Sequence, residues 1–336
     1  MLLAGDIGGT KTLLGLYNQQ GTGTLPHKHY VQRFSTLKFH GLAEIIEEFL
    51  QTANWTKQID AACFGVAGPV QGQVSQLTNV PWLIDATDVG HRFSISRVRL
   101  LNDLTALAHA IPLLTSNHLV FIRPGQPEAN GNIAVIAPGT GLGQALLHNV
   151  NNRYIPTPSE GGHADFAART ERELEFVQAM VSRLGRISYE QVISGPGLVN
   201  LHQFVHGYRH CSAFPADTPV SDQPALISKS ALEKHCPGCE ETLDLFVGAL
   251  GAEAGNLGLR SVATGGVFLG GGIPAKILPA LHTETFIRAF LAKSPMNALV
   301  DKMPIAVILE SYASLLGAAL AADELSRDMA ETSNPT

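Results

Sequence analysis

The sequence predicts an α/β protein of two domains, and three observations carry that prediction. The first is size and composition. At 336 residues the chain exceeds the roughly 100 to 200 residues of one domain. Its 45% apolar and 15% charged residues, with 33 glycines, suit a compact enzyme with a large core. The second is a pair of glycine-rich turns, Asp6-Ile7-Gly8-Gly9-Thr10-Lys11 and Pro138-Gly139-Thr140-Gly141, each set between strand-like apolar runs. The third is the alternation of short apolar runs with stretches of helical period.

Residues 2–7 and 12–17 read as the strands of a first hairpin, followed by a strand over 29–35. Between Gly41 and Ala53 the residues Leu42, Ile45, Ile46, Phe49 and Leu50 recur at helical spacing and mark one core-facing stripe. Residues 59–66 read as a buried strand ending in Ala67-Gly68-Pro69, and 98–101 as another ending in Asn102-Asp103. Ligands of open α/β sheets sit beyond the carboxyl ends of the strands, so Asp6, Gly68 and Asn102-Asp103 are expected at one edge. A helix over 104–113 leads toward the second domain, where 132–137 and 144–147 flank the second turn. Further helices are expected at 171–184, 189–193, 198–205 and 242–259, with strands at 266–269 and 305–309. A last helix over 312–325 is expected to return to the first domain. The expected division is a small domain, 1–112 plus 304–336, and a large one, 113–303. No tandem repeat is visible, although the two hairpins echo each other.

The turns point to phosphate. A phosphoryl group needs dense backbone N–H donors at close approach, and glycine lets the main chain come that near. Thr10 and Thr140 add hydroxyls and Lys11 a charge. Asp6, at the end of the first strand, is placed to hold the water shell of a Mg2+ ion. Gly139 to Gly143 alone also resembles the start of a dinucleotide fingerprint. That motif requires a following helix and an acidic residue about 20 positions on at a strand end. Here 144–148 reads as a returning strand and Glu160 lies in a glycine-rich loop. Lys11 lacks the spacing of a Walker lysine.

A net charge of −6 without a Lys/Arg cluster argues against a nucleic-acid partner. The start of the chain runs directly into a strand-like stretch, which leads to the expectation of a cytoplasmic protein without signal peptide or membrane span. The four cysteines, Cys63, Cys211, Cys236 and Cys239, do not suggest a disulfide framework. Cys236-Pro237-Gly238-Cys239 has metal-like or redox-like spacing, but a structural zinc site wants two further ligands. Beside it the sequence offers His235 and no matching pair, so a reduced, partly buried pair is expected.

Six stretches in order carry a family resemblance. They are Gly5 to Thr12, Leu101 to Leu104, Ala137 to Gly143, Ser159-Glu160-Gly161-Gly162-His163-Ala164-Asp165-Phe166, Ile193 to Asn200, and Gly265 to Ile273. With them the chain resembles the bacterial glucokinases without a zinc cluster, within the superfamily of sugar kinases, actin and related ATPases. The resemblance implies a two-domain actin-like ATPase fold of ribonuclease H type with the active site in the interdomain cleft. It implies transfer of the γ-phosphate of ATP to the 6-hydroxyl of D-glucose, the first step of glycolysis, with Mg2+, in a homodimer.

By the same resemblance Asn102, Asp103, Glu160, His163 and Glu190 bind the sugar. Asp103 is the general base. Asp6, Ile7, Gly8, Gly9, Thr10, Lys11, Gly139, Thr140, Gly141, Gly271 and Gly272 bind the nucleotide, with Asp6 toward the metal and the adenosine near 270–272 and Gly317. Asn79 is a weaker sugar candidate. Read singly, Asp103 is a helix N-cap, His163 a loop histidine and Glu190 a solvated helix residue. Their company with the two turns favours the functional reading. The alternatives are a sugar-responsive regulator with a kinase fold, against which the early first strand counts, and a kinase for a related hexose. The regulator-type sugar kinases carry three zinc-binding cysteines after the histidine that matches His163. None follows here, so no zinc requirement is expected.

Overall fold

The computed structural model describes residues 1–19, 24–77, 80–209 and 211–332. The chain forms two compact units, Met1–Thr115 with Glu310–Thr336, and Ser116–Leu309.

The first unit is built on a five-stranded sheet. Strands β1 (Leu2–Ile7) and β2 (Lys11–Asn18) form the first hairpin and β3 (His27–Ser35) continues it; β4 (Ala61–Val66) and β8 (Val98–Asn102) run parallel to β1. Between β4 and β8 lie a small three-stranded sheet, β5 (Val70–Gln71), β6 (Val74–Gln76) and β7 (Leu83–Asp85), and helix α2 (Ala86–Phe93). Strands β1 and β4 read as nearly unbroken apolar runs because both of their faces are covered. One face packs on α1 (Leu42–Thr52), whose buried Leu42, Ile45, Ile46 and Phe49 meet Leu3, Phe34 and Phe64. The other carries α3 (Asp103–Ala110) and α11 (Ala313–Thr332), an alanine-rich contact through Ala106, Ala318, Ala319 and Ala322. A Cβ on Gly317 would collide with the Ala106 carbonyl, so this glycine is what lets α11 cross α3 closely.

The second unit repeats the plan. β10 (Ile133–Pro138), β11 (Leu142–Val150) and β12 (Arg153–Ser159) form an antiparallel meander. β13 (Gly266–Leu269) and β14 (Ile305–Ile308) run parallel to β10, and β9 (Leu119–Arg123) closes the edge. The strand orders β3-β2-β1-β4-β8 and β12-β11-β10-β13-β14 correspond one to one, so the echo between the hairpins extends to both sheets. Helix α7 (Pro237–Ser261), 25 residues long and buried on most sides, packs on β10 and β13. Around it lie α4 (Glu171–Leu184), α5 (Gly195–Val205), α6 (Gln223–Leu232), α8 (Leu278–Leu281), α9 (Glu284–Leu291) and α10 (Asn297–Val300).

Three expectations are corrected. A boundary at 304 would put β14 in the small domain, whereas its ladders to β13 and β9 hold it in the second unit. Residues 189–193 form turns, not a helix, because the Tyr189 and Glu190 N–H groups donate to the Ala164 and Gly162 carbonyls. The helix expected over 104–113 ends at Ala110 and continues as a 3-10 turn through Pro112.

Candidate active site

Within the first unit, Gly8, Gly9 and Thr10 join β1 to β2, with Ile7 paired to Thr12. The Gly8 N–H donates to the Lys11 carbonyl at 2.9 Å. The Thr36 hydroxyl donates to the Gly8 carbonyl at 2.8 Å and lies 2.9 Å from the Thr12 hydroxyl in a buried hydrogen bond. Thr12 and Thr36 thus peg the turn from below. Sequence reasoning assigned them no role, since buried threonines carry no signal of their own. Ile7 turns its side chain into the core and its carbonyl accepts from the Ala67 N–H, while Thr10 is exposed at the tip.

Burial pushes the Asp6 carboxyl pKa up, and Lys11 offsets part of that shift. Among the described residues no hydrogen bond reaches this carboxylate. A hard oxygen ligand desolvated at a strand end, with only a lysine charge to offset it, fits a hydrated Mg2+ ion.

Asn102 ends β8 and Asp103 begins α3. Val66 pairs with both Ile7 and Asn102, which brings Asp6 and Asn102-Asp103 to the same carboxyl edge of the sheet. Asn102 is the N-cap, its Oδ1 accepting from the Leu104 N–H at 3.0 Å. Asp103 is the first helical residue. Its Oδ1 accepts from the same N–H at 2.8 Å, and the residue is half-buried. The N-cap position that Asp103 had when read singly therefore belongs to its neighbour.

In the second unit, the Gly139 N–H donates to the Gly141 carbonyl, and the Gly195 N–H donates to the Gly139 carbonyl, each at 2.8 Å. Ser194 caps α5 by accepting from the Gly197 N–H at 3.0 Å, so the positive end of this helix lies against the turn. Sequence reasoning gave Ser194 and Gly195 a motif but no role. Thr140 is exposed at the tip. A Cβ on Gly139 or Gly272 would meet nothing within 4 Å, so glycine there answers no packing need of the protein and keeps the backbone open to a close ligand. Gly271 differs. It has φ +81°, and a Cβ would sit 2.5 Å from the Pro138 carbonyl, so the 270–272 loop lies directly on the second turn. Gly317 is accounted for by its helix crossing.

Glu160 leads into a 3-10 turn, Gly161–His163, that presses on β11; a Cβ on Gly162 would collide with the Leu142 carbonyl. His163 Nε2 lies 4.0 Å from Glu160 Oε2, and its Nδ1 lies 3.9 Å from Glu190 Oε1. Two carboxylates thus flank an imidazole, with side-chain exposures of 77% for Glu160, 59% for His163 and 33% for Glu190. Glu190 also reaches the second turn, where its Oε2 accepts from the Leu142 N–H at 2.9 Å. The group offers a hydroxylated ligand acceptors and donors beside a loop suited to phosphate. Asn79 lies outside the described residues.

The family model for glucokinase matches residues 3–325. A glucokinase of Trichormus variabilis is 36% identical, with 97% of this chain and 99% of that protein covered. One of Mesorhizobium japonicum is 38% identical, with 95% and 90% covered. The crystal structure of a glucokinase from an Antarctic psychrotroph superposes with a TM-score of 0.84 at 31% identity, covering 96% of this chain and 98% of that one. On the family model, the identity and the near-complete coverage, the chain belongs to the glucokinase family.

Proposed function

We propose that this protein transfers the γ-phosphate of ATP to the 6-hydroxyl of D-glucose, giving glucose 6-phosphate and ADP. The family makes the chain an ATP-dependent hexose kinase. The observation that carries the finer reading is the position of Glu190, which joins the Glu160-His163 cluster to the glycine turn at Gly139–Gly141. In this proposal glucose hydroxyls bind Asn102, Glu160, His163 and Glu190. The phosphates bind the turns at 8–11 and 139–141, and the 270–272 loop faces the nucleotide. The Asp103 carboxylate takes the proton of the 6-hydroxyl while that oxygen attacks the γ-phosphorus and the bond to the bridging oxygen of ADP breaks. Asp6 would hold Mg2+ through its water shell, and the ion would supply neutralisation of phosphate charge. That the half-sites of the two units serve one reaction in an interdomain cleft belongs to the same proposal, as do the homodimer and the cytoplasmic location. Among the described residues no helix is long and apolar enough to cross a membrane.

The test is product analysis with purified protein. Incubation with ATP, Mg2+ and glucose is expected to give equal amounts of ADP and glucose 6-phosphate, and excess EDTA to stop it. ADP formation that does not depend on glucose, or a clear preference for another hexose, would refute the assignment.

A further inference from the structure

Away from these groups the second unit gathers three cysteines and two histidines for which the kinase reaction has no use. Cys63 is not among them; it is packed inside β4, where burial pushes its thiol up to about 12 and leaves it inert. The end of α5 supplies His202 and His206, the following loop supplies Cys211, and the start of α7 supplies Cys236, its N-cap, and Cys239.

Cys211 Sγ lies 3.7 Å from Cys236 Sγ and 3.7 Å from Cys239 Sγ, and His206 Nε2 lies 3.4 Å from Cys236 Sγ. These distances far exceed an S–S bond of about 2.05 Å. They match the edges of a zinc tetrahedron. Metal bonds of about 2.3 Å to sulfur and 2.0 to 2.1 Å to nitrogen put neighbouring donors about 3.8 Å apart for two sulfurs and about 3.5 Å for sulfur and nitrogen.

Three further observations favour a metal over thiols in simple packing contact. His206 Nδ1 is 3.0 Å from the His202 carbonyl, which holds the proton on Nδ1 and leaves the Nε2 lone pair facing Cys236, the usual second partner of a ligating imidazole. A Cβ on Gly238 would lie 2.6 Å from His206 Cε1, so the glycine of the Cys-Pro-Gly-Cys loop is what admits the ring. Finally, His202 Nε2 is buried without a hydrogen-bond partner, and its donor atom lies within 4.8 Å of those of His206, Cys211 and Cys239.

We propose that Cys211, Cys236, Cys239 and His206 hold one tetrahedral zinc ion, a closed structural site fastening the end of α5 and Cys211 to the start of α7. The thiols bind as thiolates and release their protons to solvent. Zinc was not expected because the reading considered residues after His163 and next to Cys236 in sequence, whereas the fold brings the missing ligands from 206 and 211. His202 Nε2 is the rival to Cys236 for the fourth position, and the Cys236 and His202 variants decide between them.

The test uses full-length, tag-free protein produced with zinc in the medium. Metal analysis is expected to give one zinc per chain, released when a mercurial titrates three thiols. The cobalt-substituted protein is expected to show tetrahedral ligand-field bands with thiolate charge transfer. Zinc is expected to be lost in Cys236→Ser and Cys239→Ser and retained in His202→Asn, with a fall in melting temperature on zinc removal. Folded wild type that takes up neither zinc nor cobalt, or that carries a disulfide among these cysteines, would overturn the site. Zinc kept by Cys236→Ser and lost by His202→Asn would overturn the ligand set. If the variants fail to fold, the wild-type metal content and cobalt spectrum decide.

Discussion

Two glycines in neighbouring loops separate a conformational requirement from a ligand requirement. At Gly271 the positive φ and the close Pro138 carbonyl leave no room for a side chain, while at Gly139 a Cβ meets nothing within 4 Å. Gly271→Ala is therefore expected to destabilise the fold by about 1 to 3 kcal/mol. Gly139→Ala is expected to melt within a few degrees of wild type but to raise the KM for ATP about tenfold or more, read from thermal denaturation and initial rates. Equal loss of stability in both variants would show that Gly139 is structural. The same contrast marks the limit of the sequence. The residue pattern singled out Gly139, Gly141 and the corner at Asn102-Asp103, and the family resemblance added Glu160, His163 and Glu190. It could not tell that Asn102 caps α3 or that Glu190 braces the second turn, because both depend on a few ångströms of tertiary placement.

Elements with one clear period were legible, and those set by long-range partners were not. Strands β1 and β2 and the stripe of α1 follow from pattern alone. Strand β12 escaped because Pro156 and Pro158 argue against a strand; it forms at the sheet edge, where a missing N–H costs no ladder bond on the open side. The turns at 189–193 look helical until the 162–166 loop captures their N–H groups. Helix α7 hides a comparable surprise. Its Glu253 is fully buried, with Arg260 Nη1 at 2.8 Å and the side-chain amides of Gln144 and Asn256 each at 3.0 Å. Gln144 in turn abuts Gly161, below the Glu160-His163 turn. Glu253→Ala strands these donors and is expected to cost about 2 to 4 kcal/mol, measured by denaturant unfolding. It is also expected to weaken glucose binding, whereas Glu253→Gln keeps most of both. No change in the alanine variant would remove the network from the account.

At the scale of the whole molecule, the repeated sheet order was beyond the sequence because the two units share a strand order but, in their residues, only the two glycine turns. Global stability has a legible charge signature. Burial, helped by Arg169, pulls the Lys293 pKa down to about 8 from an ordinary 10.5. Between those values the unfolded chain binds more protons, so stability is expected to rise with pH from 8 to 10.5, and Lys293→Met to flatten that rise in denaturant titrations at several pH values. The same slope in both proteins would contradict it. The central claim, the proposal that Asp103 is the base of the phosphoryl transfer, is tested most directly by kcat and directly measured glucose affinity in Asp103→Asn. The amide still bonds the 6-hydroxyl but cannot take its proton. The expected result is a fall in kcat of about 10² to 10⁴, some 3 to 5 kcal/mol of barrier, with glucose affinity changed far less. A kcat within about threefold of wild type would contradict the account and remove Asp103 as the base.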